Sequence, residues 1–243
     1  MNTLPTRYFN LTYIILDSIF CIILLFLFIY KKRYITLFWS LFGGVLYFLV
    51  DFGYFYLISG SREVYINNIL QNSLYTGLIL LWMSLSYGIT NFAFIWLCLK
   101  KDKYLKEWLM LIIGWWLLCP CFAKLGGEFN IKTIRTTNQY HYVMLIILIV
   151  GYLIFLLYSF IKKESFKKII LNLLMLNIIG FAVQFCWEAA LLLNGIRPLN
   201  VDSFNTLIID SLIETNLGMP YIYFIYLFIN KYRKDDLTKK HIN

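Results

Sequence analysis

Two carboxyls four residues apart, Asp210 and Glu214, interrupt the last long apolar run, Leu207-Ile-Ile-Asp-Ser-Leu-Ile-Glu-Thr-Asn-Leu-Gly-Met-Pro220. On a helix that spacing sets both on one face. A carboxyl in hydrocarbon is costly and marks a functional site. Asp17, Asp51 and Glu188 lie in other apolar runs, and no Lys or Arg lies well inside any of them. Acids without basic partners have two physical outcomes. Burial and mutual repulsion favour the neutral, protonated form, or a cation or an aqueous vestibule compensates the charge. A neutral acid in a dry pocket is a proton donor. A charged cluster in a vestibule instead draws cations or organic amines.

Polar positions extend these acids into stripes. Asn177, Gly180, Gln184 and Glu188 follow helical steps, as do Gly44, Tyr47, Asp51 and Tyr54, and Ser84, Gly88 and Asn91. Stripes from several helices imply a shared interior cavity opening outward. At helical rise, Asp51 lies about 10 Å and Glu214 about 15 Å from the outer ends of their helices. Aromatic residues make up 19% of the chain, and Trp39, Tyr47, Phe52, Tyr54, Tyr87, Trp96, Trp187, Tyr221 and Tyr223 flank the acids. Interface belts and core packing explain most of them. An aromatic lining also stabilises a transient carbocation or a cationic ligand.

The elements that hold these residues follow from composition. The chain has 243 residues, of which 60% are hydrophobic and 14% charged, with a mean hydropathy of +0.70. That excludes a soluble domain and a disordered chain and implies an all-α, multi-pass protein of the cell membrane. Spans need about 20 apolar residues. Seven are expected, at roughly 9–30, 35–58, 72–99, 107–123, 141–161, 169–193 and 204–229. The net charge of +9 sits in short connections, so it reads as topology and lipid-headgroup contact, with no nucleic-acid partner. Basic clusters follow the first, third, fifth and seventh runs, which puts the N-terminus outside and the C-terminus in the cytoplasm. The first run precedes its cluster Lys31-Lys32-Arg33 and has no cleavage site, so it reads as a retained helix.

A single transmembrane domain over 1–243 is expected. Self-comparison at a shift of about 130 residues pairs Gly88 with Gly218 and Ser84 with Glu214. It suggests parallel half-repeats, roughly 9–99 and 141–229, around a linker helix at roughly 107–123. The longest connection, about 124–140, is polar and exoplasmic, placed to cap part of the bundle. Cys119-Pro-Cys121 is too tight for a zinc or redox motif and reads as structural. Asn10-Leu-Thr12 is a glycan sequon, and Thr137-Asn138 only partly matches one. His141 begins a span and His241 lies in the tail, so no His-based metal site, no Ser/His/Asp triad and no cofactor are expected. Arg62 and Arg197 read as interface anchors before phosphate ligands.

With these residues in view, the chain resembles the small seven-helix integral-membrane terpene cyclases of meroterpenoid pathways. Asp51 stands for that family's second-helix acid, and Glu214-Thr-Asn-Leu-Gly218 for its last-helix Asp-x-x-x-Gly, with Glu in place of Asp. The Trp that precedes the family's second-helix acid is Val50 here, and a Trp-Glu pair occurs instead as Trp187-Glu188. The resemblance implies acid-catalysed cyclisation of a lipophilic, prenylated substrate. Glu214 and Asp51 would donate the proton, with Glu188 and Asp210 relaying or tuning it. Trp187, Gln184, Tyr47, Tyr54, Tyr87, Asn91, Asn216 and Asp17 are the expected substrate lining. The partners would be that lipophilic small molecule and membrane lipids. The three-plus-one-plus-three plan is also similar to small sugar and vitamin facilitators, whose Pro-Gln signature is absent here. The alternative is therefore a proton- or cation-coupled transporter of a small solute, and a third reading is a seven-helix ligand-binding or receptor-like protein.

Overall fold

Apolar length decides most of the secondary structure. The computed structural model describes residues 6–136, 140–199 and 203–232. Among them, seven helical segments are long and apolar enough to cross a membrane: Leu11–Tyr30, Tyr34–Ile58, Ser73–Lys100, Leu105–Gly126, His141–Ile161, Phe166–Leu193 and Leu207–Lys231. These are the seven expected runs, shifted by a few residues at their ends. Large apolar side chains such as Ile22, Phe26, Leu57, Leu153 and Phe228 point outward, as a lipid-facing surface requires. The chain divides into two compact units.

The first unit contains residues 6–136 and 190–199. Strand β1 (Thr6–Phe9) leads into α1 (Leu11–Tyr30), then α2 (Tyr34–Phe48), which continues in wider π-helical turns over Leu49–Ile58. Strands β2 (Arg62–Ile66) and β3 (Ile69–Leu70), helices α3 (Ser73–Lys100) and α4 (Leu105–Ala123) and strand β4 (Ile131–Arg135) follow. Asn10 and Asn72 cap α1 and α3 by accepting from the amides of Tyr13 and Tyr75. Helix α3 is the axis of this unit, with α1, α2 and α4 packed on it. Its contact with α2 is backbone on backbone. A side chain at Gly88 would collide with the main chain of Gly43 and Gly44, and Trp39 stacks on Trp96 one turn or more away at 5.1 Å. Arg33, counted among the basic topology signals, is buried and paired with Asp102 at 2.5 Å, tying the turn after α1 to the turn after α3.

Segments outside the spans form a sheet. Its strand order is β1-β4-β2-β3, all neighbours antiparallel. Asn67 and Asn68, both at positive φ (52° and 64°), make the two-residue turn between β2 and β3, a position where Asn is tolerated. Strands of two to five residues, most with partners far away in sequence, leave little periodic signal, which is why the all-α expectation omitted them. The sequon is also accounted for. Asn10 is buried, and its amide donates to the carbonyls of Ala123 and Gly127, both at 3.0 Å, so it is no glycan acceptor. Thr137-Asn138, His241 and the tail cluster Arg233, Lys234, Lys239 and Lys240 lie outside the described residues.

The second unit contains residues 140–189 and 203–232. It comprises α5 (His141–Ile161), most of α6 (Phe166–Leu193), α7 (Ser203–Ile213) and α8 (Met219–Tyr232). The last apolar run is therefore two helices, where one was expected. Between them lie Glu214, Thr215 and a single tight turn, Asn216–Gly218. Pro220 explains the break, because it has no N–H for the Asn216 carbonyl and its ring crowds the preceding turn. Gly180 of α6 lies directly against the Asn216 side chain and Met219, so α6 touches the chain at the break itself.

Substituting Gly88→Leu should therefore lower stability by about 1–3 kcal/mol or more, read as a lower unfolding midpoint in detergent. Gly114→Ala, where nothing lies within 4 Å of the added carbon, should leave the midpoint unchanged or raise it.

Candidate functional site

The break in the last span gathers the richest set of ionisable groups in the second unit. Asp210 and Glu214 occupy the last turn of α7 and the first residue beyond it. Like charges four apart repel, and the C-terminal end of a helix carries the negative pole of its dipole. A positive charge is what this geometry favours, and His141, the first residue of α5, stands opposite. Its Nε2 lies 3.5 Å from Oδ1 of Asp210 and 3.7 Å from Oε1 of Glu214. One ligating atom from each of the three falls within 4.8 Å of the others. The imidazole and the Glu214 carboxylate are partly open, at 21% and 28% exposure, while Asp210 is at 8%.

Gln184 of α6 organises the inner side. Its amide N–H donates to Oε2 of Glu214 at 3.0 Å and, at a longer 3.5 Å, to Oε1 of Glu188, while its carbonyl accepts from the Thr215 hydroxyl at 2.8 Å. Asn216 is buried and donates to the Ser211 carbonyl at 3.3 Å, in the last part of α7. Glu188 and Trp187 are buried beside this network on α6. His141 begins α5 and the two acids end α7, so the centre is built from the ends of helices.

Half of the expected site residues are in the first unit, and most of these have partners of their own there. Asp51, on the π-helical turns of α2, accepts from Nε of Arg62 at 2.7 Å and from Nη2 of Arg135 at 3.0 Å. Asp51 thus has basic partners, against the expectation that the acids of the spans lack them. Its partners come from β2 and β4, outside the spans. Arg62 is only 3% exposed, so it is no interface anchor. Its ring neighbour is Phe55, 4.3 Å below the guanidinium. Burial and the adjacent Arg135 push Arg62 down to about 10, against the pull of Asp51, which leaves it protonated at neutral pH. Arg7 of β1 donates to the Tyr87 hydroxyl at 3.0 Å. Asp17 accepts from the indole N–H of Trp82 and of Trp115, each at 3.1 Å, so both oxygens are satisfied within the helix packing. Tyr47 packs edge-on against Phe92 and Tyr54 against Phe55, and Asn91 is buried in α3.

The residues brought together are thus Gln184, Glu188, Asp210 and Glu214, with Thr215 beside them and His141 added. The expectation of no histidine-based site rested on His141 at a span start and His241 in the tail. The signal available was its position at a span start, level with the first turns of the last run. The five cysteines are all free.

Asp51→Asn should cost about 3–5 kcal/mol of stability, because it leaves Arg62 buried without its carboxylate. Unfolding in detergent measures this, and adding Arg62→Met should restore most of the loss. Lost activity at unchanged stability would instead mark Asp51 as a chemical acid.

Against protein-family models, curated proteins and solved structures, the chain has no match.

Proposed function

We propose that this chain is a membrane transporter that couples movement of a small solute to a cation held by His141, Asp210 and Glu214. The observation that carries the reading is the spacing of that centre. At 3.5 and 3.7 Å the imidazole nitrogen stands beyond good hydrogen-bonding length from both carboxylates. Donors bound at ~2.1 Å around a tetrahedral ion stand about 3.4 Å apart. One nitrogen and two carboxylate oxygens suit a borderline divalent ion such as Zn²⁺ or Mn²⁺. The broken span supports transport, since secondary transporters bind ions where a helix unwinds and exposes its terminal carbonyls. The Lys and Arg excess after the first, third and fifth spans supports an exoplasmic N-terminus, with the centre opening outward. A three-plus-one-plus-three arrangement of parallel halves would suit alternating access, the unbroken α3 and the broken α7–α8 giving the halves different roles.

The test is flux. Liposomes containing the purified chain and an entrapped zinc-sensitive dye should take up Zn²⁺ well above protein-free liposomes. His141→Gln and Glu214→Gln should slow uptake by about tenfold or more, and uptake should fall as external pH drops and protons compete for the ligands. Uptake that both variants leave intact contradicts the reading.

A second reading, acid-catalysed cyclisation of a prenylated substrate, draws on the two acids Glu188 and Glu214 that meet at the Gln184 amide. Under it Glu214 is the donor and Asp51, held by two arginines, is not. Membranes incubated with a prenyl epoxide should then yield a cyclic product that Glu214→Gln abolishes and Asp51→Asn, where folded, does not.

A further inference from the structure

The sheet of the first unit concentrates positive charge on its buried face. In register, Arg62 of β2 stands opposite Arg135 of β4, and Arg7 of β1 opposite Thr133 of β4. Side chains alternate along a strand, so these four share one face with Phe9, Val64 and Ile131, all buried. Like charges directly opposite one another weaken a strand pair. Arg62 and Arg135 have one carboxylate between them, Asp51, among the described residues. Glu63 is on the other face and accepts from the Tyr65 hydroxyl at 2.8 Å. The Asp51–Arg62–Arg135 cluster therefore carries one positive charge in surplus, with Arg62 almost fully buried.

Two polar atoms at the same place have no hydrogen-bond partner. The hydroxyl of Thr133 is buried and unpartnered, and so is Nε of Arg135. An unsatisfied buried hydroxyl is costly, and Thr133 is fully enclosed at 0% exposure. Residues two apart on a strand are about 7 Å apart, a gap that one tetrahedral oxyanion bridges through its own hydrogen bonds. Arg135, at 21% side-chain exposure, leaves a way in.

We propose that this corner of the sheet binds a phosphate-class oxyanion, held by Arg135 and the Thr133 hydroxyl, with Asp51 keeping Arg62 and Arg135 in register. Guanidinium groups match phosphate oxygens two at a time, and the surplus charge is what a bound anion neutralises. The strands join α2 to α3, lead into α1 and follow α4, so they lie at one membrane face, at headgroup level. The phosphate can therefore come from a lipid headgroup or from a free phosphate. This inference is independent of the cation centre.

Delipidated, purified full-length chain in detergent provides the test. Its unfolding midpoint is followed while inorganic phosphate, a short-chain phosphatidylglycerol or the matching diacylglycerol is titrated in. A saturable rise with phosphate identifies a free anion as sufficient, and a rise with the phospholipid alone identifies a headgroup; diacylglycerol gives none in either case. Thr133→Val and Arg135→Gln should each weaken the apparent affinity by about tenfold or more. Thr133→Val should melt no lower than wild type without ligand, since it removes an unpartnered hydroxyl. The proposal is overturned if neither phosphate source gives a saturable shift, if diacylglycerol matches the phospholipid, or if the affinity is unchanged in both variants.

Discussion

Holding charge away from water costs far more than any single packing contact gains, and that constraint orders this chain. The buried acids among the described residues are met by donors or by opposite charge. Asp17 receives two indole N–H groups, Asp51 two guanidinium groups, and Asp102 the buried Arg33. Glu214 receives the Gln184 amide and faces His141. The apolar spans can be long because these local solutions keep polar groups from meeting lipid bare.

The solutions differ in kind, and the difference separates scaffold from site. Two indoles around one carboxylate, at ordinary hydrogen-bond lengths, close a structure. Arg33 and Asp102 do the same at the opposite ends of α1 and α3. The centre at the break in the last span is looser: imidazole and carboxylates converge without closing on one another. Helix continuity is also given up there, with Asp210 and Glu214 at the negative end of α7. Under the proposed reading a positive ion would sit between these groups, and the broken backbone would be the element that responds to it.

Much of the fold was legible because membrane spans are written in length and composition. Seven runs became seven helical segments with ends shifted by a few residues, and of the stripe Asn177, Gly180, Gln184, Glu188, Gly180 meets Asn216 and Gln184 meets Glu214, while Asn177 is exposed. What was hidden depends on contacts between distant segments. Nothing near Asp51 announces Arg135, which reaches it from a strand whose pairing with β2 no local pattern encodes. Arg62 looked like an interface anchor because a basic residue just past a span usually is one. His141 at a span start and His241 in the tail suggest no histidine-based site, although two carboxylates complete a ligand set equally well. The break at 214–218 was half visible in Asn216, Gly218 and Pro220, each a poor helix former, and its consequence for the direction of the two acids was not.

The central claim is that His141, Asp210 and Glu214 hold one divalent ion together. Titrating the purified chain with Co²⁺ while recording visible absorption reads this directly, because a low-coordinate nitrogen–oxygen site gives Co²⁺ an intense band. The account predicts a band that saturates at one ion per chain, is displaced by Zn²⁺, and disappears in both His141→Gln and Asp210→Asn. Absence of a saturable band in the wild type, or a band that survives both substitutions, would contradict it.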